Sequence, residues 1–211
     1  MINKIMDLGI SKTEASELLA VSKDIEKDYL KLKDGYPIQY LIGYVDFYGY
    51  RINITPDVLI PRYETEYLVE KTIKYSEKLF ANKNVKVLDL GTGSGSIAIS
   101  MAKNINSDVT AVDISQEALD VAKNNAILNN VEINFINSDM LDKVEGKFDV
   151  IISNPPYISK DENIMEIVDK YEPHLALYAE DDGLYFYKNI LDNIKDYLND
   201  KFLKHHYFHE W

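Results

Sequence analysis

The sequence predicts an α/β fold: a mostly parallel sheet with helices on both faces, preceded by a small helical segment and a β-hairpin linker. Three observations predict it. From residue 85 onward, short apolar runs alternate with stretches of helical periodicity, which implies right-handed crossovers and parallel strands. Val150, Ile151 and Ile152 are consecutive, as in a strand covered on both faces. A glycine-rich turn joins the first apolar run to the helix after it.

Residues 1–35 read as helical. Ser11-Lys12-Thr13-Glu14 has the form of a capping box, and Ala15, Leu18 and Leu19 follow at helical spacing. A second short helix fits residues 24–33, with Ile25, Tyr29 and Leu32 as its apolar stripe and Asp34-Gly35 as its stop. Residues 36–60 are rich in aromatic and β-branched types, among them Tyr40, Ile42, Tyr44, Phe47, Tyr48, Tyr50, Ile52 and Ile54. With Gly43 and Gly49 between them, they read as one or two β-hairpins. A helix is expected over 63–80, then strand 85–90, helix 96–103, strand 109–114, helix 116–128, strand 133–136 and strand 148–153. A short helix fits 162–169 and a longer one 184–198. The expected organisation is a helical segment at 1–35, a hairpin linker at 36–62 and a nucleotide-binding-type domain at 63–211.

The 211 residues suffice for one sizeable domain and a small appendage. At 46% hydrophobic and 27% charged, the composition is that of a soluble globular protein. No cysteine is present, which excludes disulfides, thiolate catalysis and cysteine-ligated zinc and fits a cytoplasmic setting. The first ten residues lack the pattern of a signal peptide, and no apolar run approaches a membrane span. The net charge of -12, with no dense Lys/Arg cluster, disfavours nucleic acid as a partner.

Asp89-Leu90-Gly91-Thr92-Gly93-Ser94-Gly95 lies at the first strand-to-helix turn. Its glycines permit a sharp turn and let a ligand touch the main chain. The G-x-G-x-G spacing differs from the G-x-G-x-x-G that seats a pyrophosphate, and so points to a nucleoside ligand without phosphates. Asp89 suits either an ammonium group or the capping of the turn. Asp113 ends the second strand, where its carboxylate can accept from both ribose hydroxyls. Ser115 beside it is the better helix cap, which leaves Asp113 for a ligand. Asp139 can accept from an exocyclic adenine amine or serve as a turn residue, and Met140 can lie against the ring.

Asn154-Pro155-Pro156-Tyr157 follows the fourth parallel strand. The prolines fix φ twice and remove two N–H donors, so the Pro155 carbonyl is held rigidly. With the Asn154 side-chain carbonyl, it offers two fixed acceptors to a planar NH2 group, and Tyr157 offers a face for stacking. Holding such a nitrogen in line with a methyl donor favours its methylation. A proline turn that merely ends a strand is the other reading.

These motifs resemble class I S-adenosylmethionine-dependent methyltransferases, whose fold is Rossmann-like. More closely, the chain resembles the protein-(glutamine-N5) methyltransferases of peptide chain release factors. The resemblance rests on Pro37-Ile38-Gln39-Tyr40-Leu41-Ile42-Gly43, Phe47-Tyr48-Gly49, and Val58-Leu59-Ile60-Pro61-Arg62-Tyr63-Glu64-Thr65-Glu66. Tyr171-Glu172-Pro173, Ala176-Leu177 and Asp182-Gly183-Leu184 add to it, and it covers about residues 36–198. It implies S-adenosylmethionine at Asp89, Gly91, Thr92, Gly93, Ser94, Gly95, Asp113, Asp139, Met140 and Asn154, with S-adenosylhomocysteine as a product. It implies a glutamine amide of a Gly-Gly-Gln loop held by Asn154, Pro155, Pro156 and Tyr157, with Asn154, Pro155 and Tyr157 at the chemistry. Proton loss then follows methyl transfer, since the motif offers no evident general base. The implied partner is a release factor and the expected state a monomer.

The chain departs from that pattern at three places. The family has Pro at position 63, its N-terminal helical domain is longer, and it continues past the long helix with three strands. Residues 201–211, ending in His205-His206-Tyr207-Phe208-His209-Glu210-Trp211, match none of these, so an interrupted, incomplete sheet is expected. The histidines lack Asp or Cys partners, and no metal is expected there. Competing readings are an adenine-N6 or guanine-N2 nucleic-acid methyltransferase and an inactive cofactor-binding chain. A nicotinamide oxidoreductase would need a different glycine spacing and leave Asn154–Tyr157 without a role.

Overall fold

The computed structural model describes residues 1–81 and 83–206, with side chains up to residue 203. Helices α1 (Ile2–Met6), α2 (Lys12–Val21), α3 (Ile25–Lys33) and α4 (Ile38–Ile42) open the chain. The Ser11 hydroxyl accepts from the Glu14 N–H, and the Glu14 carboxylate accepts from the Ser11 N–H, completing the capping box. Asp24 caps α3 in the same way through the Lys27 N–H. Ile5, Ala15, Leu18, Leu32, Ile38 and Ile42 close a small core of their own.

Residues 36–60 hold one hairpin and a helix. Pro37, at φ -58°, starts α4, and Gly43, at φ +86°, stops it. Tyr40 and Ile42 are therefore helical, contrary to the strand expectation. The reason is that α4 is buried on two sides: Ile38 and Ile42 join the N-terminal core while Tyr40 joins the main one. Burial on both sides mimics strand alternation in a five-residue segment. The hairpin is β1 (Tyr44–Phe47) with β2 (Tyr50–Asn53), turned by Tyr48 and Gly49, both at positive φ.

Helix α5 (Tyr63–Phe80) begins at Tyr63, whose side chain lies in solvent. Then come β3 (Val85–Leu90), α6 (Ser96–Asn104), β4 (Ser107–Asp113), α7 (Gln116–Leu128), β5 (Ile133–Asn137), β6 (Phe148–Ser153) and β7 (Ile158–Ser159). After α8 (Glu166–Tyr171) and β8 (Tyr178–Ala179), α9 (Tyr185–Asn193) passes into a 3-10 turn at Ile194–Tyr197 and β9 (Leu198–His206). The helix expected over 184–198 is thus shorter and ends in a tighter turn, and α8 starts four residues later than expected. The histidine tail from Tyr207 onward lies outside the described residues.

The sheet has the order β5-β4-β3-β6-β9, every neighbouring pair parallel. Alternation sorts its side chains by face. Val87, Val109, Val150 and Ile152 meet α5, α6 and the hairpin, whereas Leu88, Leu90, Val112 and Ile151 meet Ile190 and Ile194 after β6. Helices therefore cover both faces. The chain runs outward through β3, β4 and β5, then returns to the other side of β3 with β6. That reversal puts a crevice at the carboxyl ends of β3 and β6.

Candidate active site

The sheet register brings the two sequence motifs together. Leu90 pairs with Ser153, so Gly91 and Asn154 leave adjacent strands side by side. The Ser153 hydroxyl donates to the Leu90 carbonyl at 2.7 Å and locks that junction. Gly91, Gly93 and Gly95 all have positive φ, which only glycine adopts without strain. Gly95 is constrained twice, because a Cβ there would lie 3.1 Å from the Cβ of Ala122 on α7. The Gly91 and Thr92 N–H groups both donate to the Val112 carbonyl at 2.9 Å.

The two acidic residues have different positions. Asp89 is fully buried beneath the loop, where one carboxylate oxygen accepts from the Thr92 hydroxyl at 2.6 Å and the other has no partner. Burial, with the nearby charge of Asp113, pushes its pKa up to about 7. Thr92 and Ser94 are buried in the same turn. Asp113 is half-buried and accepts from the Gly93 N–H at 2.8 Å and the Ser115 N–H at 3.0 Å. Ser115 caps α7 through the Ala118 N–H, leaving each Asp113 oxygen a further lone pair. Desolvation raises the Asp113 pKa, and its backbone hydrogen bonds oppose the rise.

A cavity of about 610 Å³ opens over this edge of the sheet. Gly91, Gly93, Asp113, Asp139, Met140, Asn154 and Pro156 line it, together with Leu59, Leu175, Tyr185 and Phe186, which the motif reading did not include. Met140 adopts φ +41°, a conformation disfavoured for its type, at the rim of this cavity. Asp89, Thr92, Ser94 and Gly95 shape the loop from behind and do not line it.

A second cavity, of about 230 Å³, lies on the far side of Asn154, lined by Pro155, Tyr157, Arg62, Thr65 and Val168 among others. Asn154, Leu59 and Ala176 belong to both cavities and form the partition between them. The Asn154 amide donates to the Thr65 hydroxyl at 3.1 Å, and its carbonyl oxygen is buried with no partner. A buried acceptor without a donor is costly, and a ligand N–H would relieve it.

Supporting contacts reach in from distant segments, and the sequence carried no signal for how they pair. The Arg62 guanidinium donates to Glu172 at 2.6 Å, and the Ile60 N–H donates to the other Glu172 oxygen at 3.3 Å. Asn125 is fully buried on α7. Its amide donates to the carbonyls of Asn53 and Ser94, and its oxygen accepts from the Asn53 N–H, tying the hairpin to the glycine loop. Gly183 packs so closely on Tyr157 that a Cβ would come within 2.2 Å of the Tyr157 carbonyl oxygen. That clash explains a glycine at 183. Thr65 and Glu172 lie in the segments that carry the family resemblance, without a stated role there, and Asn125 could have been suspected only as a polar residue on the core-facing side of α7.

The Methyltransferase small domain family matches residues 71–206, so the crevice at the carboxyl ends of β3 and β6 is that of a methyltransferase domain. A methyltransferase from Pyrococcus furiosus of known structure is 26% identical, with a TM-score of 0.56 over 78% of this chain and 72% of that one. The release factor glutamine methyltransferase of Flavobacterium psychrophilum is 48% identical over 77% of this chain, and that of Lactococcus lactis 42% over 94%. The chain belongs to the release factor glutamine methyltransferase family. It spans 59% of the length of the Flavobacterium relative and 73% of the Lactococcus one. Among the described residues no helix is long and apolar enough to cross a membrane.

Proposed function

We propose that this chain methylates the side-chain amide nitrogen of a glutamine, using S-adenosylmethionine, and that the glutamine is that of the Gly-Gly-Gln loop of peptide chain release factors. The observation that carries the reading is the partition. Asn154, with an unpartnered buried oxygen, separates a nucleoside-sized cavity from a smaller one beside Pro155 and Tyr157.

The larger cavity fits the cofactor. Its volume falls in the usual range for small-molecule sites. Asp113 keeps lone pairs for two ribose hydroxyls, Asp139 for an adenine amine, and Met140 covers the ring. Gly91 and Gly93 allow close main-chain approach. Asp89, Thr92, Ser94 and Gly95 act by holding the loop. When bound, the cofactor supplies an electrophilic methyl group. The chain's own residues do the rest. Asn154 and the Pro155 carbonyl accept from the two N–H groups of the glutamine amide, which restrains the nitrogen in the line of attack. Tyr157 packs on the amide plane, and Pro156, expected beside the amide, instead lines the cofactor cavity. The nitrogen forms its new N–C bond as the S–C bond breaks, and it sheds a proton afterwards. Products are N5-methylglutamine and S-adenosylhomocysteine.

Residues 1–35, in this reading, contact the release factor, 36–62 link them to the rest, and 63–211 carry the chemistry, in a cytoplasmic monomer. Incubation with isotopically labelled cofactor and either release factor or RNA and DNA tests it. Label on the Gly-Gly-Gln glutamine is expected. Label on nucleic acid alone would sink the proposal.

A further inference from the structure

We propose that Thr65 is a positioning residue that anchors the Asn154 amide by its NH2 end and so holds its oxygen toward the acceptor. The inference rests on the reading of Asn154 above. An asparagine amide is nearly symmetric in shape, yet its two ends are opposite in hydrogen bonding. Only the oxygen end can receive an N–H of an incoming amide nitrogen. A half-turn of the Asn154 side-chain amide would present an NH2 group to another NH2 group.

Thr65 is the one side chain within reach of the NH2 end among the described residues, and with the oxygen end left for the acceptor it serves as the anchor. It is 5% exposed and sits in the first turn of α5, 89 residues away in sequence. Its hydroxyl receives the Asn154 NH2 at 3.1 Å, which leaves the Asn154 oxygen as the unpartnered end. Both residues line the smaller cavity. The threonine is itself well anchored. Its β-branched side chain has restricted rotamers. Its N–H donates to the Arg62 carbonyl at 3.1 Å, and Arg62 is held by buried Glu172. The turn that carries Thr65 is therefore pinned to the segment after α8 by that ion pair.

The test compares Thr65→Val, which keeps the shape and removes the hydroxyl, with Thr65→Ser, which keeps the hydroxyl. Three quantities are read: kcat on release factor, cofactor Kd, and solvent exchange of the Asn154 side-chain NH2 protons by NMR. Thr65→Val should lower kcat about tenfold, the scale of one lost hydrogen bond. Cofactor Kd should stay unchanged, and Asn154 NH2 exchange should accelerate. Thr65→Ser should restore both kcat and slow exchange. Undiminished kcat with slow exchange in Thr65→Val would overturn the assignment, as would equal damage from both variants. Fast exchange of the Asn154 NH2 in the unsubstituted protein would overturn it as well. If that protein fails to methylate release factor, the proposed function fails, and the NH2 exchange alone then decides the role of Thr65.

Discussion

The two halves of the site are built differently. The glycine-loop half is assembled from neighbours in sequence. Thr92 reaches Asp89 three residues away, and the Gly93 N–H reaches Asp113 twenty residues away. The Asn154 half is assembled from afar, through Thr65 at a separation of 89 residues and through Arg62 and Glu172 at a separation of 110. The first half has its loop N–H groups at Gly91, Thr92 and Gly93 engaged before any ligand arrives. The second leaves a buried oxygen unpartnered on a residue that lines both cavities, whereas the unpartnered Asp89 oxygen of the first half lies beneath the loop. The glycine loop and its Asp113 partner are thus preformed by one βαβ unit, whereas an acceptor site depends on the whole fold holding two segments in register.

The contrast predicts that damage in the two halves separates kinetically. The largest effect is expected from Asn154→Ala. Turnover should fall by about 10²–10³, the range for losing one preorganised hydrogen-bonding group at a reacting centre. Cofactor Kd should stay within about twofold, and equal loss of both would erase the distinction. Next is Glu172→Ala, which strands Arg62 and the Ile60 N–H. The unfolding free energy should drop by about 1–2 kcal/mol, since the Arg62 side chain left behind is 35% exposed and the Ile60 N–H loses its buried partner, measured by urea titration. A loss below about 1 kcal/mol would mean that solvent around Arg62 screens the pair.

Asp113→Ala should act in the opposite sense to Asn154→Ala. Cofactor binding should weaken about tenfold or more, the cost of losing hydrogen bonds to a charged acceptor, as read by calorimetry. The turnover of the saturated enzyme should change less.

The last effect concerns pH. The carboxyl of Asp89 titrates near 4 when unfolded and at about 7 when folded. Between those values the folded state holds a proton that the unfolded state has lost, so stability falls as pH rises. It then levels off above pH 7. The raised pKa of Asp113 acts in the same direction. Asp89→Asn should flatten the dependence of melting temperature on pH between about 4 and 7. An unchanged slope would place the titration elsewhere.

Legibility in the sequence follows the same divide. Helices α5 and α7 and strands β3 and β6 appear at the residues expected from periodicity, because each buries one consistent face or both. Helix α4 was not legible, because Ile38 and Ile42 face one core and Tyr40 another. Asp113, Met140 and Asn154 were legible as cavity residues because each closes a strand or follows one at the crevice. Leu175, Tyr185 and Phe186 were not, since no local pattern tells which side of a later loop or helix will cover the pocket.

What the sequence by itself determined is the alternating architecture, the glycine turn and the Asn-Pro-Pro-Tyr loop. Local sterics and hydrophobic period suffice for those. Only the tertiary structure decided that Asp89 lies under the loop instead of in the cavity. It alone set Asn125 to tie the hairpin to the glycine turn, and Thr65 to hold the Asn154 amide. The reason is physical: a buried hydrogen bond takes its meaning from its partner, and these partners are chosen by packing between segments that are remote in the chain.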